Sequence, residues 1–390
     1  MDMLIGFPPR AYHPICHPEP KAKGLLITDK DEILRRLWRL RMTKKAAFYV
    51  CSIINDAVYN RKRKTENGNM GKFHPSFLPA AAVILLLAVW PLIFREATLF
   101  YQVLSLTCLY ATLALAWNIY ALSGAISLGH AAFFGLGAYA SALLNHYYHW
   151  SPLCTIPLGA LASVGFAVLW IWGFRRLRGV YLGLASLAAM EIPKTIVDNW
   201  DRLTYGSMGL VGLDRLPSLA LGGLEVDFGL NLKAQYYLLL AVMLLAALLN
   251  LESIRTRWGW TLRAMRENET AAAMLGITAN RERAKALMLS AYLTGIAGAL
   301  YAHIMGLVEP ALVFSLHLSV LPLVFGIFGG RTRALGPVLG AFILYPLEQL
   351  VLQPLFPMGH AAIYGLVIIL TVFFFPRGIA AWLPSPPKSV

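Results

Sequence analysis

WGWTLRAMRENETAAAMLGITANRERAK, running from Trp258 to Lys285, is the longest charged run between apolar blocks in the last two-thirds of the chain. Asn268 is expected to cap a short helix, because its side-chain oxygen can accept a hydrogen bond from an amide two or three residues later. The alanines at 271–273 favour helix and carry almost no side chain. Gly276 suits the left-handed backbone at which helices end. The stretch therefore predicts a two-turn helix that another surface could approach closely.

The composition around this stretch is typical of a membrane protein with many spans. Of 390 residues, 58% are hydrophobic and only 14% are charged. A span needs roughly 20 apolar residues, and ten apolar segments of about that length follow residue 77. They predict an all-α membrane protein with about ten transmembrane helices. The segments lie at 77–94, 99–121, 126–144, 153–173, 180–198, 235–252, 286–308, 315–329, 335–351 and 361–375.

Lysine and arginine are distributed unevenly among the loops. With the N-terminus placed in the cytoplasm, the inside loops and the C-terminal end hold fourteen of these bases, and the outside loops hold four. Bases favour the cytoplasmic side of a membrane. The distribution therefore predicts that both termini and the loop 253–285 are cytoplasmic, and that the long loop 199–234 faces out. A nucleic-acid partner is not expected, because the bases fall between apolar blocks.

Residues 1–72 differ from the rest and are predicted to be a cytoplasmic N-terminal extension, followed by a transmembrane domain at 73–390. DEILRRLWRLR, at 31–41, has the pattern of a basic amphipathic helix. Met70 opens MGKFHPSFLPAAAVILLL, a short basic start directly before the first span. An extension and an over-long assignment of the start codon both remain open.

A second informative stretch, SGAISLGHAAFFGLGAY, runs from Ser123 to Tyr139. Its glycines and alanines remove side-chain bulk, so that helices can pack closely there. His130 is the one ionisable side chain before the closing tyrosine. It is read either as a hydrogen-bonded structural residue or as a proton site.

Glu191 and Lys194 lie three residues apart in the fifth apolar segment, and hence on one helical face. A charge at mid-bilayer costs about 2.5–3.5 kcal/mol, so such residues usually face protein or water. Glu191 is predicted to be a polar element near a pathway. Lys194 is predicted to be its neutralising partner near the outer end of the span.

Both stretches resemble known sequences. Thr270-Ala271-Ala272 followed by Gly276 resembles the EAA---G loop of ABC importer permeases, with Thr270 where Glu is usual and Glu269 one place early. In that family the loop forms the coupling helix, which sits in a groove of the ATPase subunit.

SLGHAAFFGLGAY is similar to the SLGHAAFFGIGAY signature of LivM-type permeases for branched-chain amino acids. The resemblance covers about 75–390, and one departure is Tyr205, which stands where the family usually has glycine. Other blocks match that family in order: Arg178–Tyr181, Ala189–Ile192, Thr204–Leu210, Gly295–Tyr301, Gly336–Ala341 and Phe375–Gly378.

The resemblance implies an ABC importer permease arrangement in a bacterial-type inner membrane. The chain would be a multi-pass permease subunit that translocates branched-chain or other hydrophobic amino acids. It implies an external binding protein that delivers the solute, a second homologous permease and two ATP-binding subunits. No cofactor or metal is expected on the chain itself. The sequence contains no G-x-x-x-x-G-K-[ST] phosphate loop, so ATP would be hydrolysed on the partner subunits.

The resemblance also assigns roles to residues. Coupling to the ATPase is expected of Asn268, Glu269, Thr270, Ala271, Ala272, Ala273 and Gly276. Pathway or packing roles are expected of Gly124, Ser127, Gly129, His130, Gly135, Gly137, Glu191, Gly206 and Ser207.

Three alternatives to an amino-acid importer remain. Urea or a short amide could be the cargo, because specificity in such systems lies largely with the binding protein. An ion-coupled secondary transporter could use Glu191 or His130 as a proton site. A membrane enzyme is the weakest interpretation, because no carboxylate or histidine cluster with metal spacing occurs within the spans.

Overall fold

A computed structural model describes residues 98–356, apart from 222–223 and 331–332, together with a few single positions between 363 and 379. The N-terminal extension and the predicted span at 77–94 lie outside the described residues. So does the span at 361–375, apart from those single positions. Eight of the ten predicted apolar segments can therefore be compared with the structure, and each contains a long helix.

The described chain is helical apart from its loops and two small ladders of strands. Asn231 accepts a hydrogen bond from the amide of Lys233 and Ser315 from the amide of Leu318, and each caps a spanning helix. The helices are α1 (Thr98–Ala121), α2 (His130–Tyr148), α3 (Pro152–Phe174), α4 (Gly179–Asn199), α5 (Asp201–Thr204), α6 (Leu232–Arg255), α7 (Arg257–Glu267), α8 (Glu269–Met274), α9 (Ala279–Met305), α10 (Pro310–Val313), α11 (Leu316–Gly329), α12 (Gly336–Pro346) and α13 (Gln353–Leu355).

Seven helical segments in the described part of the chain are long and apolar enough to cross a membrane. The helix α2 is not among them, because the polar ends of this largely buried helix lower its hydropathy. The seven segments are Thr98–Ala121, Pro152–Phe174, Gly179–Asn199, Leu232–Arg255, Ala279–Met305, Pro310–Gly329 and Gly336–Leu355. The last contains α12, a π-helical stretch at Leu347–Leu352 and α13.

The helix α9 lies at the centre of the bundle and packs against α1, α2 and α3. Its approach to α2 depends on small residues. A Cβ atom on Gly137 would overlap the backbone of Gly295, and one on Gly298 would overlap the carbonyl of Phe134. Association of helices in a membrane relies on such close packing, so these glycines hold the core of the bundle together.

The loops gather at two ends of the bundle. At one end the loop after α1 meets α7, where a Cβ atom on Gly124 would lie 3.0 Å from Cα of Arg266. At the other end β1 (Leu210–Val211) pairs antiparallel with β4 (Leu307–Val308). The side chain of Asn145 also reaches Asp214 there, at 3.0 Å. The strands β2 (Ser218–Leu221) and β3 (Leu224–Asp227) form a second antiparallel ladder.

The sequence predicted the helices but not these strand pairs. The ladder of β1 with β4 joins segments almost 100 residues apart, and no short-range pattern signals such a pairing. The alternation of the loops between the two ends agrees with the predicted alternation of spans.

Candidate functional site

The short helix α8 has the ends that the sequence predicts. The side chain of Asn268 accepts a hydrogen bond from the amide of Ala271 at 3.0 Å. Gly276 has φ +84°. The amide of Gly276 donates to the carbonyl of Ala273 at 3.0 Å, and that of Ile277 donates to Ala272 at 3.1 Å. This pair of bonds is the Schellman motif, which satisfies carbonyls at a helix end, so α8 stops after six residues.

The two faces of α8 differ. Ala272 is 3% exposed and faces the interior of the chain. The opposite face is uncovered and consists of small or apolar side chains, and Leu275 is 61% exposed. Among the described residues, no atom beyond Gly276 and its chain neighbours lies within 4 Å of where a Cβ on Gly276 would stand. This uncovered surface, called the outer face below, is formed by Thr270, Ala271, Ala273, Met274, Leu275 and Gly276.

The sequence does not distinguish the three alanines of α8 from one another. The structure turns Ala272 inward, while Ala271 and Ala273 are exposed. This follows from helix geometry, because residues on either side of an inward-facing position point away from it on a helix with 3.6 residues per turn. A bulky substitution at Ala272 would therefore disturb packing within this chain rather than a contact with a partner.

Glu269 points into the bundle rather than outward. Its Oε2 lies 3.1 Å from Nη2 of Arg283, and its Oε1 lies 3.3 Å from Nη2 of Arg178. A carboxylate in the first turn of a helix is also favoured by the helix dipole. The sequence does not identify Arg178 and Arg283 as partners of Glu269, because they lie 91 residues before and 14 residues after it, and no local spacing links them.

The helix α7 supports α8 and is itself anchored to the end of α6. The guanidinium of Arg263 donates hydrogen bonds to the carbonyls of Ile254 and Gly259, and it lies 4.4 Å from the ring centroid of Trp260. A Cβ atom on Gly259 would overlap the carbonyl of Ser253. The sharp bend from α6 into α7 therefore depends on close backbone contact and on one arginine.

The glycine-rich stretch begins at the same end of the bundle as α8. Gly124 has φ +81° and abuts α7. The carbonyl of Ser127 accepts a hydrogen bond from Nε1 of Trp117 at 2.9 Å. A Cβ atom on Gly129 would overlap the carbonyl of Ser186 in α4. These residues thus fix the turn from α1 into α2 and its contact with α4.

His130 is fully buried at the start of α2. Its Nε2 lies 2.9 Å from Oγ of Ser290 on α9, and its ring meets Phe133 edge-on at 5.6 Å between ring centroids. In the described residues, no carboxylate forms an ion pair or hydrogen bond with this histidine, whose Nδ1 has no partner. The geometry is that of a structural histidine joining α2 to α9.

Gly135 and Gly137 are packing residues in the structure. A Cβ atom on Gly135 would overlap the ring of Phe314, which follows α10. Gly137 faces Gly295, as described above. The sequence predicted close packing here, but it could not identify the facing residues.

Glu191 and Lys194 form an ion pair at 3.5 Å on α4. Their side chains are 52% and 31% exposed. At a rise of 1.5 Å per residue, Glu191 lies about 18 Å from the start of α4 and about 12 Å from its end. A pair of charges is therefore uncovered well inside a spanning helix. By contrast, the exposed face of α3 is apolar, with residues such as Leu161, Leu169 and Trp172.

Gly206 and Ser207 lie in a short 3-10 turn after α5. Gly206 has φ +58°, and a Cβ atom there would overlap the carboxylate of Asp201. Ser207 is exposed. The preceding Tyr205 has φ +59°, so a non-glycine residue occupies a left-handed position where the resembling family usually has glycine. Its ring meets His146 edge-on at 5.7 Å between ring centroids.

Comparisons with known proteins agree with this geometry. Residues 99–374 match the family described as branched-chain amino acid transport system / permease component. The chain is 28% identical over 319 residues to the high-affinity branched-chain amino acid transport system permease protein LivM of Escherichia coli strain K12, covering 76% of this chain and 73% of the relative. The LivM protein of Salmonella typhimurium strain LT2 is 27% identical over the same shares.

A second kind of relative is also similar to the chain. The permease protein LivH of the high-affinity branched-chain amino acid transport system of Escherichia coli strain K12 is 24% identical over 287 residues, covering 69% of this chain and 90% of the relative. No solved structure matches the chain. Since the family match covers most of the chain and nearly all of the described bundle, the chain belongs to the family of permease components of branched-chain amino acid transport systems.

Proposed function

We propose that this chain is the membrane-spanning permease subunit of an ATP-driven importer that translocates branched-chain amino acids delivered by an external binding protein. One observation carries the proposal. The bundle matches the permease family, and outside its spanning helices lies α8, a short capped helix whose outer face is uncovered. Small residues there allow close approach, and the exposed Met274 and Leu275 supply apolar area.

The outer face of α8 is the proposed contact with one ATP-binding subunit. The face has few polar groups to desolvate, and its backbone is accessible at Gly276. The ion pairs of Glu269 lie on the opposite side, so that the outer face is left free for a partner. A second ATP-binding subunit would pair with the second permease.

The end of the bundle that carries α8 is proposed to face the cytoplasm. Among the described residues, this end holds Arg175, Arg176, Arg178, Arg333 and the seven bases from Arg255 to Lys285, while the opposite end holds three: Arg202, Arg215 and Lys233. The positive-inside rule supports this orientation. The loop that contains β1, β2 and β3 then faces the external binding protein.

A second permease is proposed to cover the face of α4 that carries Glu191 and Lys194. Lipid is a costly environment for that pair of charges, and α4 packs less extensively against the other spanning helices than α1, α2, α3 or α9 does. A neighbouring permease, with an aqueous pathway between the two subunits, would cover the charges. The existence of two differently named permease proteins, LivM and LivH, in one relative organism supports a heterodimer.

An ion-coupled transporter finds little support in the geometry. His130 bonds to Ser290 and is enclosed by aromatic rings. Glu191 is neutralised by Lys194. A proton site needs a group that can exchange protons with both sides of the membrane, and within the described part of the chain no hydrogen bond or ion pair links either residue to another histidine or carboxylate.

The proposal is tested by reconstituting the complete importer in vesicles with its binding protein and measuring uptake of radiolabelled leucine. ATP should drive uptake, and a proton or sodium gradient without ATP should not. An excess of unlabelled isoleucine should compete, while an excess of urea should not. Uptake that follows an ion gradient in the absence of ATP would overturn the importer proposal. Competition by urea alone would overturn the amino-acid cargo.

A further inference from the structure

Glu269 differs from the other acidic side chains near α8 in what it contacts. Glu267 pairs with its neighbour Arg266 at 3.1 Å, and Glu282 pairs with Lys285 one turn later at 2.8 Å. Both of those pairs are local. Glu269 instead contacts two guanidinium groups that belong to two other elements of the fold.

The environment of Glu269 makes these contacts significant. The side chains of Glu269 and Arg283 are 19% and 16% exposed. Each carboxylate oxygen faces a different arginine. Removing one member of a mostly buried ion pair leaves an uncompensated charge, which is strongly unfavourable. The contact with Arg178, which is largely exposed, is expected to be the weaker of the two.

The two arginines connect α8 with two spanning helices. Arg178 directly precedes α4, and Arg283 lies in the second turn of α9. The helix α9 is the central helix of the bundle, while α4 carries the uncovered charges of Glu191 and Lys194. With six residues, α8 is too short to be stable on its own. Its position therefore depends on its contacts with α7, with α9 and through Glu269.

We propose that Glu269 is a positioning residue that joins the coupling helix α8 to the cytoplasmic ends of α4 and α9. This rests on the proposed function of α8 as the contact with the ATPase. A movement of α8 that keeps both ion pairs must displace Arg178 and Arg283, and with them the ends of their helices. The outer face of α8 contacts the ATPase, and Glu269, on the opposite side, contacts the spanning helices of the permease.

This separation of faces predicts two distinguishable defects. A change on the outer face should weaken binding of the ATPase. A change at Glu269 should leave binding intact but uncouple ATP hydrolysis from transport. Within this arrangement Arg283→Gln should uncouple more strongly than Arg178→Gln, because Arg283 is the more deeply buried partner.

The test uses the complete importer in vesicles, with radiolabelled leucine as the probe, and measures leucine taken up per ATP hydrolysed. Glu269→Gln keeps the shape of the side chain and removes its charge. We expect wild-type co-purification of the ATPase and a fall of about tenfold in leucine transported per ATP, within the range of coupling effects. Glu269→Asp, which keeps the charge, should recover part of this loss.

The matched control is Glu267→Gln, which removes an exposed local ion pair two residues away and should leave the ratio unchanged. The double variant Glu269→Gln with Arg283→Gln guards against misfolding, because it leaves neither charge of the main ion pair unpaired. It should be no worse than the single variants if the two residues act as a unit.

A wild-type ratio of uptake to hydrolysis in both Glu269→Gln and the double variant would overturn the inference. Loss of the ATPase from Glu269→Gln, to the extent seen with outer-face variants, would also overturn it, since Glu269 would then belong to the docking surface. Failure of the proposed coupling site itself has another signature: outer-face variants would keep both their ATPase and full uptake.

Discussion

Single residues decide where α8, the proposed coupling helix, begins, where it ends and which side it presents. The side chain of Asn268 accepts a hydrogen bond from an amide in the first turn of α8, which has no partner within the helix. Gly276 adopts the left-handed backbone at which the helix ends. Glu269 fixes the rotation of the helix through Arg178 and Arg283. The exposed alanines are therefore turned away from the bundle, where their small side chains leave room for the proposed partner.

Gly276→Asp should cause loss of the ATPase without loss of the permease from the membrane. A non-glycine residue in the left-handed region costs about 1 kcal/mol, and the new carboxylate lies where close contact is expected, so it would be buried without a partner.

Two further variants separate the backbone cost from the effect of the charge. Gly276→Ala carries the backbone cost alone, and Ala273→Asp adds a charge on the same face without a left-handed residue. Co-purification of the ATPase and ATP-driven leucine uptake are the measurements. If Gly276→Asp and Ala273→Asp both retain full ATPase binding and uptake, α8 is not the coupling helix.

Tyr205→Gly should be more stable than Tyr205→Ala by about 1 kcal/mol, because both lose the ring contact with His146 and only glycine accepts the left-handed backbone without strain. Tyr205 has φ +59° and is exposed, so neither variant opens a cavity. The midpoint of thermal inactivation in detergent would rank the two. A higher midpoint for the alanine variant would show that the backbone at this position relaxes once the ring is removed.

At the scale of elements, the sequence predicts what depends on local chemistry. The caps of α8, its stop at Gly276 and the positions of the spanning helices all follow from residues within a few positions of each other. The inward rotation of Ala272 and the contacts of Glu269 do not follow, because they depend on Arg178 and Arg283, which only the folded bundle brings near. The same holds for the glycine-rich stretch. Its small side chains predict close packing, but the residues on α4 and α9 that it packs against are determined by the tertiary structure.

The helix α4 carries the prediction that belongs to this scale. Glu191→Gln should reduce leucine uptake while leaving assembly with the second permease and the ATPases intact, if the uncovered face of α4 lines the pathway. The variant also leaves Lys194 without its carboxylate, so Lys194→Gln and the double variant are needed. If pairing of the two charges is what matters, the double variant should transport better than Glu191→Gln. Wild-type uptake in all three variants would make the pair a structural feature of α4.

At the scale of the whole molecule, the distribution of charge and the fold both distinguish the two ends of the helix bundle. The basic loops and α8 lie together at one end, and the two strand ladders lie at the other. The sequence predicts this alternation because each span reverses the direction of the chain, and the count of bases selects the cytoplasmic end. It does not predict the ladder of β1 with β4, which joins the loop after α5 to the segment after α9.

The orientation of the whole molecule can be tested with one cysteine at each end. Ser218→Cys changes a single atom in the exposed loop at the proposed outer end, and Ala264→Cys places a thiol on the exposed side of α7 at the other. Both are made in a chain whose four native cysteines, Cys16, Cys51, Cys108 and Cys154, are replaced by serine or alanine. A membrane-impermeant maleimide applied to intact cells should label Ser218→Cys and leave Ala264→Cys unlabelled until the cells are lysed. The reverse pattern would place α8 outside the cell, where no ATPase could reach it, and would contradict both the topology and the coupling role of α8.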